Sequence, residues 1–379
     1  MNILIAGDYC PNERLAPLIE KENYSFVFGQ ILPLLSKVDF SIVNFECPVV
    51  AANIKPILKQ GPNLSCSYKA VEALKWAGFN CVTLANNHFN DYGGEGCVTT
   101  FETLQSAGID YVGGGRTLEE AQRIYYTTIN DKILAVVNFC EHEFSIATRK
   151  VAGSAPLDLI DNYGQIKEAR LNADYVVVIV HGGHEYYQLP SPRMKKTYHW
   201  FIELGADIVI NHHQHCYSGF EIYKGKPIFY GLGNFCFDGN RCGKDIWNEG
   251  YIVSLILDED RIDYTLIPYT QCSDNPKIEL MEEEKKESFY NNIEKINEVI
   301  NDDSALEHFF DKWCKEQYSN IKYALTPYTN RFMRALWYRG LLPSFLSTKR
   351  LVSLYNKIQC EAHRDVLMSY LSQKVKQND

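Results

Sequence analysis

Apolar residues along this chain come in short runs, and several of those runs stop abruptly at polar clusters. Runs at 2–6, 40–43, 81–84, 175–180 and 208–210 have the length of buried strands. They end, in turn, at Gly7-Asp8, Asn44-Phe45-Glu46, Asn86-Asn87-His88, His181-Gly182-Gly183-His184-Glu185 and Asn211-His212-His213-Gln214-His215. The run at 175–180 is almost purely β-branched, which implies burial on both faces. Between the runs lie helical patterns over 26–37, 68–77, 96–107, 159–172 and 193–204, two of them stopped by Gly78 and Gly108. Runs at 124–129 and 133–139 read as an antiparallel pair joined at Asn130-Asp131, and 219–223 and 227–230 as two further strands. A last hairpin joins 251–257 to 261–267 around 258–260. The proline-rich stretch 55–62 and the aperiodic stretch 140–156 read as loops, the second rimming the site. Strand–helix alternation of this kind predicts an α/β fold, whose ligands gather beyond the carboxyl ends of the strands.

Past Pro276 the pattern turns charged and helical, over 281–318 and again over 331–377 with a break near 340–343. The chain therefore divides into a site-bearing α/β domain, 1–275, and a C-terminal helical extension, 276–379, packed on or beside it. Composition adds exclusions. A net charge of −9 argues against bulk nucleic-acid binding. The twelve cysteines are scattered singly, without a CxxC pair, so neither a zinc cluster nor a disulfide framework is expected. The start, MNILIAGD, lacks the charged flank and cleavage site of a secretory signal, and no apolar run spans a bilayer. These features predict a reduced, cytoplasmic protein.

The chemistry lies in the polar clusters. Three of the ten histidines fall within residues 212–215. Alternation along an extended segment lets His213 and His215 face one point while His212 faces away. With Asp8, Glu46, Asn87 and His181 they form a set of carboxylate, amide oxygen and imidazole. That set suits Mn²⁺, Fe or Zn²⁺ better than Mg²⁺ or Ca²⁺. Six ligands exceed the need of one tetrahedral zinc, and a carboxylate can bridge two ions, so two divalent transition-metal ions are expected. His88, beside Asn87, is the candidate proton donor to a leaving alkoxide. Asp91 and Glu185 are placed to orient imidazoles from behind the ligands. Duller roles stay open: Asp8 and Asn87 also suit caps or turns, and His181 suits a core position. His142, His199, His308 and His363 stand outside the clusters, while His184 and His212 adjoin ligands but are expected to face elsewhere. Glu221 and Asp238 serve loops as readily as substrate.

The segments GD at 7–8, NFE at 44–46, ANNHFND at 85–91, HGGHEY at 181–186, GADIVINHHQH at 205–215 and GLGNFCFD at 231–238 occur in this order. Together they resemble the bacterial capsule-synthesis CapA family (poly-γ-glutamate capsule synthesis type), of the calcineurin-like metallophosphoesterase superfamily. The resemblance covers roughly residues 1–270. It implies a four-layer α-β-β-α sandwich followed by the helical extension. It also implies a first metal on Asp8 and His215, a second on Asn87, His181 and His213, Glu46 between them, and His88 as the acid. Three positions depart from the pattern. Cys10 stands where many relatives have histidine, leaving either a thiolate ligand or a first site one ligand short. Asn211 and Gln214 replace a usual glycine and proline. Family members commonly carry an amino-terminal membrane anchor; here none is expected.

The expected activity is a metal-dependent phosphoesterase acting on a phosphorylated small molecule or glycan in capsule or surface-polysaccharide synthesis. A hydrolase or transferase for a γ-glutamyl amide polymer, or a non-catalytic scaffold subunit, are the alternatives. Residues 331–379 hold nine Lys/Arg against three Asp/Glu, mixed with Phe332, Leu336, Trp337, Leu341 and Phe345. Such a segment either packs on the sandwich or makes peripheral contact with the inner membrane face.

Overall fold

The computed structural model describes residues 1–239, 246–259, 261–328 and 330–376. Among these, the first sheet runs in spatial order Ile278–Leu280, Arg261–Gln271, Glu249–Asp258, Asn2–Cys10, Phe40–Phe45, Cys81–Thr83 and Asp110–Val112. Asn2–Cys10, Phe40–Phe45, Cys81–Thr83 and Asp110–Val112 are mutually parallel. The second sheet runs Phe220–Tyr223, Lys226–Phe229, Ile208–His212, Tyr175–His181, Lys132–Cys140 and Tyr125–Ile129. Its four inner strands are parallel and its two edges antiparallel.

Period-two alternation decides how the sheets stack. Ile3, Ile5 and Ile42 of the first sheet share one core with Val136, Val178 and Val209 of the second. Their neighbours Leu4, Ala6 and Val43 face the other way, onto Val71 and Leu74 of helix Lys69–Ala77 and Phe101 and Leu104 of helix Gly93–Ala107. Helices Leu159–Asn172 and Pro192–Leu204 cover the second sheet through Ile166, Ala169, Phe201 and Ile202. The result is a four-layer α-β-β-α sandwich, as expected. All seven residues of Tyr175–His181 are buried, in keeping with a β-branched strand covered on both faces. Each such aliphatic side chain contributes about 1.5–3 kcal/mol by leaving water.

The helix expected over 26–37 is two short helices, Tyr24–Phe28 and Leu32–Leu35. Pro33 has no N–H to donate and its ring would meet the carbonyl of Gly29, so the helix cannot run through. The segment GLGNFCFD at 231–238 contains a further strand, Asn234–Phe237, parallel to the end of Asn2–Cys10 with Asp8 opposite Asn234. Here two chain segments meet backbone to backbone. A Cβ on Gly7 would lie 1.9 Å from the Gly233 carbonyl oxygen, which accepts a 3.2 Å bond from the Asp8 N–H. The stretch 140–156 carries the short strand Gly153–Ser154, paired with Gly114–Gly115.

The compact first unit runs from Met1 to Glu307 and the second from His308 to Asp379, so the division expected at 275/276 falls inside the first unit. Residues 281–318 form parts of two helices, Glu283–Asn301 and Asp303–Ala324. The former buries Phe289, Ile293, Ile296 and Ile300 in the inter-sheet core. Apolar spacing, invisible to a reading by charge, joins this helix to the sandwich. The second unit holds Arg331–Tyr338, Thr348–Gln359 and Glu361–Lys376, interrupted at Gly340, which has φ 71°, and Pro343. Asp260, expected in the turn of the last hairpin, and Gln377 lie outside the described residues. No helix among the described residues is long and apolar enough to cross a membrane.

One buried cation fastens the end of the packed helix. Lys195 Nζ donates to the Ile300 carbonyl at 2.6 Å and to Asp303 Oδ1 at 2.7 Å, and lies 3.9 Å from Glu221 Oε2. Lys195→Met leaves a helix-end carbonyl and the buried Glu221 carboxylate without that charge. It is expected to lower unfolding stability by about 2 kcal/mol, the range for hydrogen bonds to charged groups. Urea titration reads this directly; an unchanged midpoint contradicts the fastening role.

Candidate metal centre

The parallel strands of both sheets point their carboxyl ends at one place. Asp8 lies near the end of Asn2–Cys10, Glu46 just past Phe40–Phe45, Asn87 past Cys81–Thr83, and His181 at the end of Tyr175–His181. His213 and His215 follow the end of Ile208–His212. Ligand atoms of Asp8, Glu46 and His215 all lie within 4.8 Å of one another, and so do those of Glu46, His181 and His213. Glu46 belongs to both groups. His181 Nε2 and His215 Nε2 approach Glu46 Oε1 at 3.8 and 3.6 Å, and Asn87 Oδ1 sits 3.0 Å from His181 Nε2. The six residues expected as ligands are thus brought together.

Their route to convergence differs from the expected one. Alternation stops at His212, because His213 and His215 adopt φ of 93° and 55° and turn the chain back. Such backbone is strained for residues with a Cβ, on the order of 1–3 kcal/mol each. His212 consequently does not face away: its Nδ1 lies 3.3 Å from Asp8 Oδ1, inside the cluster.

Supporting contacts fix ring orientations. Asn234 Nδ2 donates to the carbonyls of His215 and Trp247, so its Oδ1 accepts from His215 Nδ1–H at 2.9 Å. The lone pair of His215 is therefore on Nε2, the nitrogen nearer Glu46. Asn44 Nδ2 donates to Asp8 Oδ1 at 2.8 Å and lies 3.3 Å from His181 Nδ1, while Asn44 Oδ1 accepts from Thr83 Oγ1. His88 Nδ1 meets Asp91 Oδ2 at 2.7 Å. Lys59, from the loop at 55–62, pairs with the other oxygen of Asp91 and stands 3.0 Å from His88 Nδ1, its side chain 2% exposed. Nothing in the proline-rich sequence marks that lysine as part of the site. Asn234 lies in the quoted segment at 231–238, but nothing in that segment singles it out as a partner of His215.

Two expectations resolve differently. Glu185 is exposed and makes no hydrogen bond to an imidazole among the described residues; its charge raises the proton affinity of His215 from across the cavity. Cys10 is not in either ligand group. Its buried thiol belongs to a small apolar cluster with Cys47, Phe237 and Trp247. Burial, followed by the bond to Cys47, pushes that thiol well above its ordinary range. Glu143, from the stretch at 140–156, reaches the rim, 3.9 Å from His213 Nε2. His88, Glu185 and His215 line a cavity of about 320 Å³ with Tyr186, Phe237 and Trp247.

The electrostatics fit a bound cation. Both carboxylate oxygens of Glu46 are buried without a hydrogen-bond partner. Burial, then the neighbouring Asp8 charge, pushes its carboxyl well above the usual range. An uncompensated buried ionised group of this kind costs several kcal/mol unless a cation or proton joins it. Burial and the adjacent His213 hold His181 far below the ordinary imidazole range, and burial with His215 takes His213 down to about 3. Burial also lowers His215, against the pull of Asp8. Burial alone would raise the Asp8 carboxyl, but the close approach of His212, followed by the neighbouring His181 and His215 rings, outweighs it and leaves an anion. Neutral imidazoles around carboxylates are the protonation states that ligate divalent ions.

A two-sheet α-β-β-α sandwich thus delivers carboxylates and imidazoles from its parallel strands to one buried cluster. The chain belongs to the family of the bacterial capsule synthesis protein PGA_cap, whose pattern matches residues 2–239. It is 34% identical over 246 residues to the capsule biosynthesis protein CapA of Bacillus anthracis, covering 63% of this chain and 60% of that protein. It is 32% identical over 236 residues to the PGA biosynthesis protein CapA of Bacillus subtilis (strain 168), covering 61% and 62%. The chain thus spans about three-fifths of the length of these relatives. A 5'-nucleotidase precursor from Thermus thermophilus superposes loosely, with a TM-score of 0.41 at 12% identity over 79% of this chain and 59% of that one.

Because Glu46 serves both groups, Glu46→Gln is expected to weaken cation binding more than His213→Ala does. Its loss exceeds the roughly 10–100-fold that removing an outer partner costs. Calorimetric titration of stripped protein with Mn²⁺ or Zn²⁺ compares the two; equal, unchanged isotherms contradict the cluster. Acid sensitivity follows from the depressed imidazoles. Unfolded histidines take up protons below about pH 6.5, whereas buried His213 does so only near 3. Metal-free protein is therefore expected to lose thermal stability between pH 6.5 and 5, above the carboxylate range, and His213→Phe to flatten that slope. A slope left unchanged by His213→Phe contradicts the assignment.

Proposed function

We propose that this chain is a metal-dependent phosphoester hydrolase of capsule or surface-polysaccharide synthesis. The observation that carries the reading is the position of Glu46, a partnerless buried carboxylate common to two ligand groups. The donor chemistry favours two ions of Mn, Fe or Zn. When bound, such ions supply Lewis-acid activation of water and of the phosphoryl oxygens. The rest falls to the chain. Asp8 and His215 on one side, and Asn87, His181 and His213 on the other, would hold the ions about Glu46. His88 commits Nδ1 to Asp91, which leaves Nε2 to give a proton to the departing alkoxide. Lys59 and the Leu64 N–H, which donates to Asp91 Oδ2 at 2.7 Å, keep Asp91 from swinging away. Phe237 and Trp247 wall one side of the cavity and restrict water there.

The polymer context comes from the relatives, named for capsule and PGA biosynthesis. The same names support a second reading, hydrolysis or transfer at a γ-glutamyl amide, because an activated water also attacks amides. A panel of phosphomonoesters, phosphodiesters and γ-glutamyl peptides separates the two; turnover of the peptides alone overturns the phosphoester reading.

His88→Asn is expected to lower kcat on alkyl phosphoesters by on the order of 10²–10⁴-fold, and far less on activated aryl esters, with metal content intact. Equal losses on both ester types remove His88 from the acid role.

A further inference from the structure

The second unit has helices but no core. Among its described residues not one is buried; the last buried side chain among the described residues of the chain is Leu306. Instead it exposes large apolar side chains, with Phe332 at 71%, Val352 at 64%, Tyr355 at 65% and Val366 at 69%. On Thr348–Gln359 the exposed residues Leu351, Val352, Tyr355 and Ile358 follow helical spacing and share one face. Lys349, Arg350 and Lys357 fall outside that face. Helices without a single fully buried side chain recover little apolar transfer energy, so this surface needs an occupant.

Charge selects among occupants. Residues 308–379 carry twelve Lys/Arg against five Asp/Glu, in a chain whose net charge is −9. A symmetric second copy would set this basic surface against itself. An anionic bilayer surface, by contrast, accepts the apolar side chains at the headgroup boundary and attracts the basic ones. The helices suit lying on such a surface, because among the described residues none is long and apolar enough to cross it. We propose that the helices between Arg331 and Lys376 form a peripheral membrane-binding surface for anionic lipid. The proposal concerns a part of the chain outside the family match at 2–239 and does not depend on the chemistry of the metal centre.

Co-sedimentation of the full chain with vesicles tests it. One set is phosphatidylcholine alone; the other is phosphatidylcholine mixed with an equal amount of phosphatidylglycerol. The protein is expected to pellet with the anionic vesicles only, and to be released near 1 M salt, where the screening length shrinks to about 3 Å. Arg331→Gln, Arg334→Gln and Arg339→Gln together should lower partitioning by on the order of 100-fold. Val352→Ser with Tyr355→Ser should also release it, with the far-ultraviolet dichroism of both variants unchanged. Absence of pelleting, equal pelleting with neutral vesicles, or wild-type pelleting by the arginine variant overturns the proposal. A concentration-dependent dimer that masks the same residues, found by sedimentation without lipid binding, assigns the surface to a second copy and overturns it as well.

Discussion

A carboxylate buried without a hydrogen-bond donor is among the least stable arrangements a folded chain can hold. Glu46 is in that condition, with both oxygens orphaned and imidazoles 3.6 and 3.8 Å away on two sides. Of its neighbours, Asp8 is satisfied by Asn44 and the His213 N–H, His215 by Asn234, and Asp91 by Lys59, His88 and Leu64, whereas both ring nitrogens of buried His212 also lack a hydrogen-bond partner. An unsatisfied acid beside an unsatisfied imidazole is explained by a positive charge that the polypeptide itself does not provide. Much of the surrounding construction serves to hold that acid in place.

The sandwich supplies the rigidity. Parallel strands of both sheets end in one region, so five separate chain segments deliver their side chains without long loops. Close packing there leaves no room for ordinary residues. Gly7 and Gly233 meet backbone to backbone, and the chain after Ile208–His212 is forced into left-handed conformations at His213 and His215. Strain at these two candidate ligands is tolerable because a dense, fully buried core over-determines it. The inter-sheet cluster, built from Ile3, Ile42, Val178 and Val209 among others, is that core.

How much of this is legible in the sequence follows the physics of each signal. Buried parallel strands leave apolar runs with abrupt polar ends, and for that reason Asp8, Glu46, Asn87, His181, His213 and His215 can be gathered from the pattern. Side-chain direction after a strand is not encoded by alternation once the backbone turns left-handed, so the pattern points His212 the wrong way. Lys59 comes from an aperiodic loop and reaches the site only through tertiary contact, which no spacing rule reports. Glu185 adjoins the cluster in sequence but remains exposed, and Cys10 is drawn to the neighbouring thiol of Cys47. The boundary at Glu307 escapes a reading by charge, because the charges on Glu283–Asn301 mask the apolar stripe formed by Phe289, Ile293, Ile296 and Ile300.

The central claim is that Glu46 lies between two cations. Anomalous diffraction from crystals grown with Mn²⁺, recorded near its absorption edge, tests this most directly. Two peaks roughly 3.5–4 Å apart, as in dinuclear hydrolytic sites, with a Glu46 oxygen contacting both, are the predicted result. A single peak away from Glu46, or peaks only at surface carboxylates, would contradict the account.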